Sequence, residues 1–150
     1  MNEAPQVIHE ATDLAWAAGF IDGEGCIALY PRRQILKGKT YHHFVLRLHV
    51  SNTDLLALER LQTLFGGSIN KANHKDRPHY KPCWTWYCNT SRCEQALESL
   101  MPYLFSKKSQ AVLGIASRRY IQRNGRPRAP ESLQAQAQIY SQLRQLKRVA

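Results

Sequence analysis

The sequence predicts an α+β chain in the order helix, hairpin, helix, hairpin, helix. Three observations predict it. A small-residue helical stretch runs straight into Asp22-Gly23-Glu24-Gly25, two pairs of segments alternate with period two, and an apolar helical stripe follows each pair. With 150 residues, a formal net charge of +10 and a sequence pI near 9.8, the chain suits one domain with a basic surface.

Within Asp13 to Ile27, Ala15, Ala18, Gly19 and Asp22 fall at i, i+3, i+4 and i+7 of a helix, so one face is almost bare. Leu14, Phe20 and Ile21 put their bulk elsewhere. A glycine inside a helix costs roughly 0.8 to 1 kcal/mol against alanine, so Gly19 asks for a close contact in return. A second copy of the same helix would provide it, which makes Ala15, Ala18, Gly19 and Asp22 the expected pairing face. Gly23 and Gly25 are expected to end the helix and free the backbone beside Glu24. That leaves the Glu24 carboxylate at a helix end near a two-fold axis, where two such groups repel unless a cation lies between them.

Next, Cys26, Ala28, Tyr30 and Arg32 alternate with Ile27, Leu29 and Pro31. After a basic turn from Arg33 to Thr40, His43, Val45, Arg47, His49 and Ser51 alternate with Phe44, Leu46, Leu48 and Val50. This is a hairpin with one apolar and one wet face. Thr53 and Asp54 start a helix whose stripe is Leu55, Leu58, Leu61 and Phe65, and Gly66-Gly67 stops it. Ser68 to Asn73 and Cys83 to Asn89 form a second hairpin around a long polar turn, with Trp84 and Trp86 on one face and Cys83, Thr85 and Tyr87 on the other. Ser91-Arg92-Cys93-Glu94 reads as a capping box for a helix carrying Leu97, Leu100 and Met101. A helix from about Lys107 to Tyr120 uses Val112, Ile115 and Ala116. Asn124 to Pro130 reads as a linker, and Ser132 to Lys147 as a last helix with Leu133, Tyr140, Leu143 and Leu146 for packing. One domain is therefore expected over residues 1–123, with 124–150 a linker and a helix that packs on it or extends it.

Charge is unevenly placed. Between Glu24 and Asp54 there is no acid, yet Arg32, Arg33, Lys37, Lys39 and Arg47 occur there. Between Glu98 and Glu131 there is again none, against Lys107, Lys108, Arg118, Arg119, Arg123, Arg126 and Arg128. Such windows neutralise phosphates without repelling them, so a nucleic-acid partner is expected. The four cysteines, Cys26, Cys83, Cys88 and Cys93, contain no C-x-x-C pair and read as free buried thiols in a reducing compartment. Neither a signal peptide nor a membrane-spanning apolar run is evident, so a soluble intracellular protein is expected, of prokaryotic cytoplasm or organelle, with no membrane partner.

Ala17-Ala18-Gly19-Phe20-Ile21-Asp22-Gly23-Glu24-Gly25, with Leu14 before it and Cys26-Ile27 after it, resembles the signature of the LAGLIDADG homing endonucleases, single-motif type. Its first position is Ala rather than Leu. The resemblance covers roughly residues 13 to 116 and implies an αββαββα fold whose four-stranded antiparallel sheet covers DNA with its polar face. No second copy of the motif appears, so one chain would supply half a binding saddle and half a catalytic centre, and a homodimer on a pseudo-palindromic double-stranded DNA site follows. The implied activity is a Mg²⁺-dependent staggered double-strand break with short 3′ overhangs, Mn²⁺ or Ca²⁺ substituting for binding. An RNA-binding intron maturase or a DNA-binding regulator without cleavage is the alternative on the same fold.

The resemblance places the metal-binding acid at Glu24, with the Gly23 carbonyl as a second oxygen ligand. Asn52 stands where relatives often carry a water-orienting Gln. Lys107, with Lys108 as its nearest rival, matches a basic residue near the phosphate, and Leu56 stands where some members carry a further basic residue. For the sheet, Arg47 and Arg32 are the candidates to read guanine N7 and O6. Tyr30, His43, His49, Ser68, Asn70, Lys81 and Thr85 are expected on the same face. Arg33 belongs to the basic turn beside them, and Lys37, Lys39, Lys75 and Arg77 are expected in turns as phosphate contacts.

Overall fold

Helix α1 (Ala11–Glu24) passes without a loop into β1 (Gly25–Leu36), which pairs antiparallel with β2 (Lys39–Asn52). The structure, a computed structural model, describes residues 9–120 and 130–149. Helix α2 (Leu55–Phe65), β3 (Ser68–Lys71), β4 (Trp84–Asn89) and α3 (Thr90–Leu100) complete an αββαββα unit. Helix α4 (Lys108–Ser117), a 3-10 turn (Arg118–Tyr120) and α5 (Pro130–Val149) follow. The four strands lie in the order β1-β2-β4-β3, all neighbours antiparallel, so the α+β expectation and the four-stranded sheet are both met.

Alternation along β2 decides the layers. Leu46, Leu48 and Val50 are fully buried beneath the helices with Ile27, Trp86, Leu58, Leu61 and Leu97, while Arg47, His49 and Ser51 point to the other side. Trp86 is buried and donates its indole N–H to the Gly66 carbonyl at 2.8 Å, so the ring's one polar atom is satisfied. Asp54 caps α2 by accepting from the Ala57 N–H at 3.3 Å, and Gly66 and Gly67, at φ 69° and 88°, turn the chain into β3.

Several local expectations are corrected. The first hairpin is longer than its apolar pattern: the strands run on to Leu36 and Lys39 around a two-residue turn, Lys37 and Gly38, both with positive φ as a tight hairpin turn requires. Gly23 lies inside α1, and only Gly25 ends it. Gly25 has ordinary extended φ; what it provides is closeness, since a Cβ there would meet the Ile21 carbonyl at 2.8 Å. The capping box at Ser91 does not form. Helix α3 begins two residues earlier, with Asn89 rather than Ser91 as its N-cap, and Glu94 pairs with Arg118 at 3.2 Å. Helix α4 is rotated from its apolar reading, burying Gln110, Ala111, Gly114 and Ser117 and leaving Val112 exposed, because Gly114 packs tightly over Leu46.

Helix α5 lies on the helical side of the sheet. Leu143 is buried, Tyr140 meets the Phe44 ring at 5.2 Å between centroids, and buried Gln136 donates to the Ser117 carbonyl at 3.2 Å. The expected linker at Asn124 to Ala129 lies outside the described residues. All four thiols are free, but only Cys88 and Cys93 are buried. Among the described residues no helix is long and apolar enough to cross a membrane.

Candidate nucleic-acid interface and active site

The outer face of the sheet follows from register. Three rows of side chains cross it: Ala28, Arg47 and Asn89; then Cys26, His49, Tyr87 and Ser68; then Ser51, Thr85 and Asn70. Tyr30 and Arg32 extend the first strand's contribution, paired with Val45 and His43. The residues are linked to one another: the Tyr30 hydroxyl lies 3.3 Å from His49 Nε2, Ser51 Oγ 2.6 Å from Thr85 Oγ1, and Arg47 Nε donates to Asn89 Oδ1 at 2.8 Å. Of the expected members, Tyr30, Arg32, His43, Arg47, His49, Ser68, Asn70 and Thr85 share this face. Burial, then the neighbouring Arg32 charge, hold the His43 imidazole below its usual pKa, so it is neutral at pH 7.

Three expected members lie elsewhere. Lys81 is in the loop between β3 and β4, because the strands are shorter than their polar flanks suggested. Arg33 belongs to β1, not to a turn, and pairing with His42 puts it on the face opposite Arg32. Lys39 is the first residue of β2. Lys75 and Arg77 do occupy the β3–β4 loop, where Arg77 is ordered by a 2.8 Å bond to the Tyr80 hydroxyl and by stacking on that ring, beside an open concavity of about 490 Å³. Tyr87, Asn89 and Ser51 are outer-face residues that the site reading omitted. Tyr87 and Ser51 were available from alternation alone.

At one end of this face lies the signature. Leu14, Ala17, Ala18 and Ile21 turn α1 onto the core, and Ala17, Ala18 and Ile21 are fully buried there. Ala18 is therefore not on the open face, as expected from spacing; the small alanines let the helix approach its own sheet. The open strip is instead Ala15, Gly19 and Gly23, all exposed, and a Cβ at either glycine would meet nothing within 4 Å.

Asp22 is half-buried and its carboxylate turns inward. It accepts from the Phe105 N–H at 2.8 Å and the Lys107 N–H at 3.0 Å, while Lys107 Nζ donates to the Asp22 carbonyl at 2.6 Å. An ammonium at the C-terminal end of a helix is favoured by the orphan carbonyls there. Lys108 is exposed and takes no part.

Glu24 follows at the helix end, exposed and without a hydrogen bond or ion pair among the described residues. Pairing of Gly25 with Val50 brings Asn52, two residues further along β2, to the same end of the sheet. Asn52 Oδ1 accepts from the Asp54 N–H at 2.9 Å. A hard divalent cation fits the free Glu24 carboxylate and the carbonyl of Gly23, both oxygen donors at the negative end of a helix. Among the described residues no three His, Cys, Asp or Glu side chains cluster as metal ligands. Just beyond, Cys26 is held at a pKa of about 7 by its hydrogen bond with His49, against burial, with help from Lys147 at 3.3 Å.

Known proteins share this fold. Over 113 residues the chain is 30% identical to the DNA endonuclease I-CvuI of Chlorella vulgaris, a match covering 73% of this chain and 65% of that protein, so the chain spans less than two thirds of that relative's length. The crystal structure of the homing endonuclease I-CvuI in complex with its target aligns over 90% of this chain and 82% of that one, with a TM-score of 0.72 at 23% identity. An archaeal intron-encoded homing endonuclease, I-Vdi141I, complexed with DNA, aligns over 92% of this chain and 86% of that one, with a TM-score of 0.71 at 16% identity. These two likenesses concern the fold. A family profile described as LAGLIDADG endonuclease matches residues 17–115, the span from the signature to α4, and the chain belongs to that family.

Proposed function

We propose that two copies of this chain pair through the open strip of α1 and cut double-stranded DNA laid over their outer sheet faces. The observation that carries this reading is one sheet face bearing linked basic, aromatic and hydroxyl side chains, at whose end stands an exposed carboxylate, Glu24, two residues beyond the Asp22 carbonyl that holds the Lys107 ammonium. A protein that only binds DNA has no use for two carboxylates brought together against phosphates. The relatives' DNA complexes support the choice of partner, and those of I-CvuI, one with 2 mM Ca and one with 2 mM Mg in which the DNA is not cleaved, support a divalent ion at the site.

In this reading Glu24 and the Gly23 carbonyl hold a divalent ion, Mg²⁺ suiting their hard oxygens. When bound, such an ion supplies charge stabilisation to phosphodiester hydrolysis. Lys107, rather than Lys108, places a positive charge beside the scissile phosphate, and Asp22 fixes where that charge stands. Asn52, at the same end of the sheet as Glu24, orients water through its amide. The outer face supplies register and sequence, with Lys37, Lys75 and Arg77 on backbone phosphates.

The test is incubation of the full chain with a randomised duplex library and Mg²⁺, with Glu24→Gln in parallel, and sequencing of cut ends. A pseudo-palindromic site with short 3′ overhangs, cut by the wild type and only bound by the variant, is the expected result. Enrichment without cutting by the wild type would leave a regulator, and preferential capture of structured RNA at matched salt would leave a maturase.

A further inference from the structure

Arg47 is held from three sides. On β2 it faces Ala28 of β1 and Asn89 of β4, and its diagonal neighbours are Tyr30 and Tyr87. Its guanidinium carbon lies 4.7 Å from the Tyr87 ring centroid and 5.3 Å from that of Tyr30, and Nε donates to Asn89 Oδ1 at 2.8 Å. The inner nitrogen is thereby occupied, while the two terminal nitrogens make no hydrogen bond among the described residues. That remaining fork is the donor pair that matches guanine O6 and N7 in a major groove.

The chain gives up local preferences to hold Arg47 this way. Asn89 is the N-cap of α3, where an asparagine oxygen ordinarily accepts from the first-turn N–H groups; here it makes no cap bond and turns to Arg47 instead. The next residue, Thr90, has φ 56°, a left-handed conformation that a β-branched side chain rarely adopts. Two departures from local rules meet at the residue that holds the arginine, the pattern expected where a site rather than an element is being satisfied. An asparagine also fixes the guanidinium without neutralising it, which an aspartate would do, so the full positive charge stays available to DNA.

We propose that Asn89 and Tyr87 are positioning residues that preset Arg47 as a fixed reader of guanine, one per half-site. The proposal rests on the DNA reading of the outer face given above. It is tested by selecting bound duplexes from the randomised library with the wild type, Arg47→Ala, Asn89→Ala, Asn89→Asp and Tyr87→Leu, each full-length and checked by thermal melting. The wild type is expected to select guanine at one symmetric pair of positions. Arg47→Ala should lower that preference by roughly 5- to 100-fold, the range of a good bidentate pair. Asn89→Ala and Tyr87→Leu should lower it at the same pair only. Asn89→Asp keeps the acceptor and should keep the guanine preference, while weakening binding overall and reducing its salt dependence by about one counterion per half-site.

Unchanged base preference in Asn89→Ala, or weakening spread evenly over all positions, would overturn the positioning role while leaving DNA recognition intact. A base other than guanine at the pair lost in Arg47→Ala would overturn the guanine assignment. Failure of the wild type to enrich any duplex would overturn the DNA reading itself, and this inference with it.

Discussion

Asp22 joins the signature helix to the segment that carries Lys107, and does so with both carboxylate oxygens and its backbone carbonyl. Hydrogen bonds to a charged acceptor contribute about 1.5 to 3 kcal/mol each when well made, less where water competes, so Asp22→Ala is expected to cost roughly 2 to 3 kcal/mol in urea unfolding. Its cleavage rate should fall further than stability explains, because the Phe105–Lys107 segment loses its side-chain tether to α1, although the backbone carbonyl that accepts from Lys107 Nζ remains. Asp22→Asn, with one carbonyl acceptor left, should lie between. Full cleavage by a destabilised Asp22→Ala would show that Lys107 needs no such tether. The signature made Asp22 and Glu24 conspicuous in sequence, and the resemblance gave the metal to Glu24 and a structural place at the helix end to Asp22; the partners of Asp22 were not legible. They follow from direction: Asp22 faces the Phe105–Lys107 segment, and Glu24, two residues on, faces solvent.

At the scale of the element, α1 has two small-residue faces and only one is open. Ala17 and Ala18 are used against the chain's own core, while Ala15, Gly19 and Gly23 are not. This separates folding from pairing. Gly19→Leu meets nothing within the chain and removes a helix glycine, so the monomer should gain roughly 0.8 kcal/mol from helix propensity. The proposed dimer should be lost through steric exclusion. Sedimentation or light scattering reads this directly, and an unchanged dimer mass in Gly19→Leu would remove this strip from the interface. Element order, and the inner and outer faces of β1, β2 and β4, were legible because alternation is written in adjacent residues. The rotation of α4 was not, since Val112 reads as a core residue beside Ile115 until Gly114 is seen against Leu46; Ile115 does pack on the core, and Val112 does not.

On the scale of the whole molecule, the helical layer covers one side of the sheet and leaves the basic outer side open. Helix α5 completes that layer. Leu143 is buried and Tyr140 packs on Phe44, so truncation after residue 120 is expected to cost about 3 to 5 kcal/mol from the apolar surface returned to water. A lower melting temperature with new binding of a hydrophobic dye would confirm it. An unaltered melting curve would make α5 an appendage instead. Two of the basic residues expected to meet phosphate also have partners within the chain: Arg118 pairs with Glu94, and Lys107 is bound to α1.

By itself the sequence determined the α+β class, the order of its elements, the wet face of the sheet and the acid at the end of α1. Each of these depends on periodicity or on a run of neighbouring residues, and such patterns survive any packing. Tertiary structure alone decided which side chains meet. Lys107 finds Asp22 across 85 residues, and Arg47 finds Asn89 across 42. Those meetings are set by strand register and by the docking of helices on the sheet. Both result from many contacts summed over the fold, so no short stretch of chain carries them.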